Sequence, residues 1–417
     1  MPGPQLTDQH TPHLTDDESM FGAALEGAVL DAGAVPSGHL GESSDDAALA
    51  AALGLDDYRF CLSWPQVQPD GGLGGSLDPA ALDHWDALVD RLLAAGVRPI
   101  PTLHHGDLPP GLEAAGGWTG PQVVERFTAW AEAVAARLGD RVDTWITLNE
   151  PVMTTLRGGA AGDPDAGARA LRAATPTAVA QLLAHATAAR AIRATRYDAQ
   201  VGLANDHARV QPASDRPEDI AAAGVFDVLY NRLYTDPVFS GDVPQLSVLG
   251  GGIDIPDEHR ALIAGSCDFY GVNLSAPLRI GATTGAGADA ALPFCHRPGP
   301  TSPDGSDQAA GTGWMTRPDD LRAVLIDLRL RHAGALPPLL ITENAATYPA
   351  HSSPAQPTMT REDLDRIDVL AGHLRAVAAA RREGLDLLGY SVRVHDGTAE
   401  RSSTAERSGA ADRLVAS

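Results

Sequence analysis

Residues 79–105 read PAALDHWDALVDRLLAAGVRPIPTLHH, and they join a helical pattern directly to a strand pattern. In the first part the apolar side chains recur three or four positions apart, at Leu82, Trp85, Leu88, Val89 and Leu92. This period predicts a helix over 79–95 that buries one face, and Gly96 is typical of the residue that follows a helix. The run 97–105 predicts a strand buried on both faces, as in a parallel sheet.

The same alternation of strand and helix extends along most of the chain. Eight predicted strands begin at Met20, Tyr58, Val97, Val142, Val201, Asp268, Pro338 and Leu387. Helical periodicity also fills residues 121–138, 174–196, 216–234, 318–333 and 361–383. Eight strand and helix units predict an α/β protein with a single (β/α)8 TIM barrel. We expect the barrel domain to span residues 20–417, after a polar tail at 1–19 and with a long loop around 281–313.

The charged residues exclude several classes of function. The 417-residue chain has a formal net charge of −23, which argues against nucleic acid or an anionic membrane as a partner, because both need clustered positive charge. The sequence contains no lysine, so all 31 basic residues are arginine. The protein therefore cannot form a lysine Schiff base with a carbonyl substrate, and it cannot use a phosphate-loop lysine.

Cysteine and histidine usage predicts a cytoplasmic protein that needs no metal or other cofactor. Cys61, Cys267 and Cys295 are an odd number, are widely spaced and form no CxxC, so neither a disulfide framework nor a zinc site is expected. The 14 histidines form no HxH or HExxH motif. Residues 1–19 lack the apolar stretch of a secretory signal, and no run of 18 apolar residues predicts a membrane span.

Two predicted strands end in a glutamate, at the edge where a TIM barrel carries its active site. Glu150 follows the fourth strand in TLNEP, and Glu343 ends the seventh in ITEN. Two carboxyl groups that face each other across the barrel mouth suit acetal hydrolysis, because one can protonate the leaving oxygen while the other attacks carbon or activates water. The structural alternative is that each glutamate caps its strand or pairs with an arginine such as Arg59.

A series of motifs supports the catalytic interpretation. In chain order they are YRF from Tyr58, SWP from Ser63, GGW from Gly116, RLGDRVDTWITLNEP from Arg137, DPVFSGDVP from Asp236, DFYGVN from Asp268 and PPLLITEN from Pro337. Their order and spacing resemble glycoside hydrolase family 1, the retaining β-glucosidases. The resemblance implies a TIM-barrel enzyme with a small-molecule glycoside substrate, with Glu150 as the acid/base and Glu343 as the nucleophile.

The resemblance also assigns roles to three neighbouring side chains. It implies that Asn149 holds the sugar 2-hydroxyl, that His105 binds the sugar and that Arg59 lies beside the nucleophile. An arginine there would lower the pKa of Glu343 and keep it ionised, while Glu150 in a less polar setting would stay protonated as the acid.

The departures from the family pattern fall on residues that would hold the sugar. Ala24 stands where the family has an anchoring glutamine, and Gly106 replaces a tryptophan. Asn273 is followed by Leu274 and Ser275 instead of two tyrosines, so Ser275 offers only a short hydroxyl. Each lost hydrogen bond costs about 0.5–1.5 kcal/mol, so several losses would undo an ordinary hexose site.

The end of the eighth strand departs as well. Arg393 and His395 stand where the family has an aromatic side chain, and Glu400 alone matches a sugar-binding glutamate. Arg393 would contact an anionic or carbonyl-bearing substrate, or else pair with an acid such as Glu343. Asn205, Asp206 and His207 end the fifth predicted strand and could line the barrel mouth, but a hydrogen-bonded loop turn is the favoured interpretation. The tryptophans of the barrel motifs are expected in the core, at Trp64, Trp118 and Trp145.

Three functions fit this combination of a retained carboxylate pair and an altered sugar shell. The first is a retaining β-glycosidase or transglycosidase that acts on an atypical glycoside. The second is a repurposed enzyme of natural-product biosynthesis, in which the same glutamates catalyse cyclisation, dehydration or isomerisation of a natural-product intermediate. The third is a non-catalytic binding protein, which the retention of Glu150, Glu343 and Asn149 disfavours because folding does not require them.

Overall fold

The fold is a closed barrel of eight parallel strands. A computed structural model describes residues 28–31, 46–72, 77–160, 167–244, 253–282, 295–296, 317–344 and 361–393. The barrel strands, numbered in chain order, are β1 (Ala28–Asp31), β2 (Asp57–Cys61), β3 (Arg98–His105), β4 (Thr144–Asn149), β5 (Gln200–His207), β6 (Phe269–Leu274), β7 (Leu339–Asn344) and β8 (Leu387–Arg393). Each strand pairs with the next along the chain, and β8 pairs with β1. The predicted TIM barrel is confirmed.

Helices follow the strands and pack around the barrel. They are Asp46–Ala52, Trp64–Val67, Pro79–Ala94, Pro110–Ala114, Val123–Leu138, Pro151–Ala160, Gly167–Thr195, Pro217–Asp227, Thr235–Ser240, Asp257–Ile263, Pro318–His332 and Arg361–Arg382. A π-helical turn, Val228–Arg232, extends one of them. The helix expected over 174–196 begins earlier, at Gly167, and continues through Pro176. Its first turns are rich in alanine, leucine and arginine, which have high helix propensity. The helix therefore already forms before the internal proline.

The barrel interior is filled below the strand ends. Ile100, Ile146, Ala204, Phe269 and Leu340 come from five successive strands and form one buried apolar cluster. Such layers make a TIM barrel a packed core rather than a pore, so the polar side chains can gather only at the mouth. The expected core tryptophans are confirmed, since Trp64, Trp118 and Trp145 are all buried.

The structure describes the fifth predicted strand and only part of the first. The described part of the first strand is Ala28–Asp31, and its expected start at Met20 falls on residues 20–27, which lie outside the described part of the chain. Residues 205–207 lie at the end of β5, as expected for the fifth strand, and not in a turn, because the backbone pairing with β6 continues from Asn205 opposite Val272 to His207 opposite Leu274. A nonlocal hydrogen-bond ladder thus overrides the turn preference of Asn and Asp.

The predicted loop around 281–313 contains one described strand, Cys295–His296, which pairs antiparallel with Leu278–Gly281. Val210–Pro212 completes this small sheet on the other side. The rest of that loop and the polar tail at 1–19 lie outside the described residues. Within the described ranges, no helix combines the length and the apolar character of a membrane span.

Candidate active site

Strand register brings the candidate residues together at the carboxyl end of the barrel. On one side, His105 of β3 lies opposite Asn149 of β4. On the other, Asn273 of β6 lies opposite both Asp206 of β5 and Glu343 of β7. Residues in register on neighbouring strands point to the same face of a sheet, so these side chains share the barrel mouth.

Arg59 forms the buried cationic centre of the site. Its side chain is fully buried, and Nη1 lies 2.9 Å from Glu343 Oε1. Nη2 donates to Asn149 Oδ1 at 2.7 Å, and Nε donates to Thr102 Oγ1 at 3.2 Å. A charged hydrogen bond of this kind favours the ionised form of the carboxyl group. The structure thus places Arg59 beside Glu343.

Asn149 connects four site residues through one amide group. Its oxygen accepts from Arg59 and from Asn273 Nδ2 at 3.2 Å, which fixes the orientation of the amide. Its nitrogen then points to His105 Nε2 at 3.0 Å and to Glu343 Oε1 at 3.1 Å. All donor and acceptor positions of the amide are used, so a substrate hydroxyl has to replace one of these bonds.

The contact with Asn149 also fixes the tautomer of His105. Because an amide nitrogen only donates, Nε2 of His105 must accept, and the ring proton lies on Nδ1. Nδ1 is 3.4 Å from the Sγ atom of Cys61. The same Nε2 is 4.0 Å from Glu150 Oε2, and the amide nitrogen of Asn149 contacts both His105 and Glu343.

Glu150 lies directly after β4 in a strained backbone conformation. Its φ angle is +49°, in the left-handed region that non-glycine residues seldom adopt. The backbone N–H donates to the carbonyl of Ala204 at 2.9 Å, and Asn273 Nδ2 donates to Glu150 Oε1 at 2.9 Å. Thr342 Oγ1 donates to Asn273 Oδ1 at 2.6 Å and so turns the amide nitrogen toward Glu150. Strain of this kind is often found at functional sites.

A third carboxyl group, Asp206, lies in the site, although the sequence favoured a loop turn over a place in the barrel mouth for this residue. It is 5% exposed, and its Oδ2 accepts from Ser275 Oγ at 2.6 Å and from the hydroxyl of Tyr230. Burial first, and then the negative charge of Glu150, raise the pKa of Asp206 to about 8. The signal in the sequence is a charged residue that interrupts the apolar run VGLA.

The remaining candidates differ in what the structure describes of them. The Ser275 hydroxyl donates to Asp206 Oδ2 at 2.6 Å. Gly106 has a φ of +89°, and a Cβ atom there would meet no atom within 4 Å. Arg393 is the last residue of β8, while Ala24, His395 and Glu400 lie outside the described residues.

Comparisons with known proteins identify the class. The family model for glycosyl hydrolase family 1 matches residues 24–406. Thermostable beta-glucosidase B of Thermobispora bispora is 36% identical over 374 residues, which cover 86% of this chain and 74% of that protein. The chain belongs to glycosyl hydrolase family 1 and is a glycoside hydrolase-like enzyme.

Solved structures agree with this assignment. Psychrophilic beta-glucosidase BglU from Micrococcus antarcticus is 33% identical with a TM-score of 0.70, and the match covers 85% of this chain and 77% of that one. The complex of the virulence factor SghA with its substrate analog salicin gives a TM-score of 0.72 at 28% identity, covering 85% and 76%. SghA is from Agrobacterium tumefaciens.

Proposed function

We propose that this protein is a retaining β-glycosidase for an atypical glycoside, with Glu343 as the nucleophile and Glu150 as the acid/base. The supporting observation is the different setting of the two carboxyl groups. Glu343 receives a guanidinium at 2.9 Å and an amide N–H at 3.1 Å, which favour the carboxylate. Glu150 receives a neutral amide at 2.9 Å and lies near the carboxyl group of Asp206, which disfavours a second negative charge.

In the first step, Glu343 attacks the anomeric carbon while Glu150 gives its proton to the glycosidic oxygen. The bond between that carbon and oxygen breaks, the aglycone leaves as an alcohol, and the sugar is bound covalently to Glu343. In the second step, a water molecule gives a proton to Glu150, and the oxygen of that water displaces Glu343 from the anomeric carbon. Retaining enzymes of this kind hold the two carboxyl groups about 5–5.5 Å apart, and that separation stays a prediction here.

Two positions support an atypical substrate. Gly106 leaves open space where the family pattern has a tryptophan, and the Ser275 hydroxyl is engaged by Asp206. A glycone or aglycone with different bulk and fewer hydroxyl contacts would suit such a site better than glucose would. The cytoplasm is the proposed compartment, since Cys61 and Cys267 are free thiols.

The test is a panel of aryl β-glycosides together with salicin, the compound described as the substrate analog of SghA. We expect turnover that Glu343→Gln abolishes, and a covalent glycosyl adduct on Glu343 when a 2-fluoro glycoside is added and the peptide is analysed by mass spectrometry. Glu258→Gln is the control, because this carboxylate is exposed on the helix Asp257–Ile263. It should retain full activity.

Absence of both turnover and adduct across the panel would overturn the glycosidase proposal. The altered sugar shell would then favour the second candidate, acid/base chemistry on a natural-product intermediate by the same two glutamates. Incubation of such intermediates with the wild-type protein and with Glu150→Gln would detect a rearranged or dehydrated product that depends on Glu150.

A further inference from the structure

Within the described part of the chain, the hydrogen bonds to the buried carboxyl group of Asp206 come from two hydroxyl groups. Ser275 Oγ donates to Oδ2 at 2.6 Å, and the hydroxyl of Tyr230 donates to the same oxygen. Neither donor carries a charge, so neither offsets the cost of burying a carboxylate as a guanidinium would. By contrast, the guanidinium of Arg59 is directed to Glu343 and Asn149.

Asp206 belongs to the same row of side chains as the predicted catalytic groups. Asp206, Asn273 and Glu343 are in register across β5, β6 and β7 and point into the barrel mouth. The central member of this row, Asn273, donates directly to Glu150 at 2.9 Å. Asn273 therefore lies between Asp206 and Glu343 in the strand register and is hydrogen-bonded to Glu150.

The charges around Asp206 are mainly negative or neutral. Glu150 after β4 and Glu343 on β7 face it with carboxyl groups, and Tyr230 and Tyr270 face it with phenol groups. Burial and the charge of Glu150 raise the pKa of Asp206 to about 8, while the hydroxyl donors Ser275 and Tyr230 oppose that rise. Two neighbouring carboxyl groups do not ionise independently, because the charge of one disfavours the charge of the other.

We infer that Asp206 is a positioning residue for the acid/base, and that Asp206 and Glu150 share one proton. This inference rests on the proposed function in that it makes Glu150 the acid. Asp206 acts through Glu150 and does not itself touch the scissile bond. Its charge sets the pH at which the acid form of Glu150 is lost, and the donors Tyr230 and Ser275 adjust that pH.

The two kinds of substitution have opposite expected effects. Asp206→Asn keeps an oxygen that accepts from Ser275 and Tyr230 but removes the charge, so Glu150 loses its proton at lower pH. Tyr230→Phe removes a donor to the carboxylate, so the doubly ionised pair is less stable and the last proton is lost at higher pH. A purely structural role would not move the two variants in opposite directions.

The first experiment is the pH profile of kcat/KM with the most active aryl glycoside of the panel. We expect the basic limb of Asp206→Asn to move at least one pH unit down, which is a tenfold change in the proton dissociation constant, and that of Tyr230→Phe to move up. Asp215→Asn removes an exposed carboxylate and serves as the charge control with an unchanged limb. Coincident basic limbs for wild type and Asp206→Asn would overturn the inference.

The second experiment needs no substrate, so it separates this inference from the proposed function. Carboxyl carbon-13 NMR of glutamate-labelled protein follows Glu150, assigned by comparison with Glu150→Gln. In the wild type we expect Glu150 to titrate in two steps, the second above pH 7, and in Asp206→Asn in one step at lower pH. A single step with the same midpoint in both proteins would overturn the shared proton. If Asp206→Asn does not fold, Tyr230→Phe takes its place in this experiment. A second titration step of Glu150 at the same pH as in the wild type would then overturn the shared proton.

Discussion

Arg59 and Glu343 form a buried ion pair, in which Nη1 lies 2.9 Å from Oε1 although the residues are 284 positions apart in the sequence. The arginine comes from β2 and the glutamate from β7, so the barrel must close before the pair can form. Each charge is buried at the cost of its hydration, and each depends on the other for compensation.

Removing one partner of this pair leaves a buried charge, whereas removing both does not. We expect Arg59→Met to lower the free energy of unfolding by about 3–5 kcal/mol. Adding Glu343→Gln to Arg59→Met should recover at least about 1 kcal/mol of that loss, because the uncompensated carboxylate is gone. Urea unfolding of the wild type, both single variants and the double variant measures this coupling. If the stability losses of the two single variants simply added up in the double variant, this coupling would be contradicted.

The left-handed backbone of Glu150 predicts an unusual preference for glycine. The αL conformation costs a residue with a Cβ atom about 1–2 kcal/mol, a cost that glycine avoids. After allowance for the larger entropy of unfolded glycine, Glu150→Gly should be more stable than Glu150→Ala by about 1 kcal/mol. The matched control is Glu132, an exposed residue inside the helix Val123–Leu138. There Glu132→Ala should be more stable than Glu132→Gly by a similar amount. Thermal unfolding measures the stability difference between the glycine and alanine variants at each position. If this difference had the same sign at both positions, the strain argument would be refuted.

Much of the barrel and part of the site were predictable because their signals are local. Buried apolar runs predicted β2 to β8 closely, and a glutamate at a strand end is recognisable in TLNEP and ITEN. His105, Asn149 and Asn273 could be predicted as neighbours because they lie at the ends of parallel strands, which meet at one edge. Arg59 lies in the middle of β2, and its place beside Glu343 was implied by the family resemblance.

The rest depends on contacts between distant strands, which no local pattern contains. Asn-Asp-His at the end of the fifth predicted strand is compatible with a turn, and the pairing of β5 with β6 decides that it continues the strand and brings Asp206 into the site. Likewise, the sequence does not indicate that the Ser275 hydroxyl donates a hydrogen bond to Asp206. It also does not indicate that the amide nitrogen of Asn149 donates to both His105 and Glu343.

Close packing between β5 and β6 makes Gly271 intolerant of any side chain. A Cβ atom there would lie 2.6 Å from the Cβ of Ala204 and 2.9 Å from the Cγ2 of Thr342. Gly271→Ala should therefore lose about 1–3 kcal/mol of stability. Gly224, in the helix Pro217–Asp227, has no atom within 4 Å of its Cβ position, and Gly224→Ala should gain about 0.5–1 kcal/mol. Chemical unfolding of both variants checks this, and equal effects would show that the barrel can relax around Gly271.

The raised pKa of Asp206 should make the fold less stable as pH rises. Between its ordinary value of 3.8 and about 8, the folded protein keeps a proton that the unfolded chain has lost. The unfolding free energy then falls with pH by up to about 1.4 kcal/mol per unit from this group. Asp206→Asn lacks this contribution, so the stability of the wild type relative to the variant should decrease steadily from pH 5 to pH 7. Asp215→Asn should show no such trend. Urea unfolding at several pH values gives the two slopes, and a wild-type stability that stays parallel to that of Asp206→Asn would mean that Asp206 is already ionised in the folded protein.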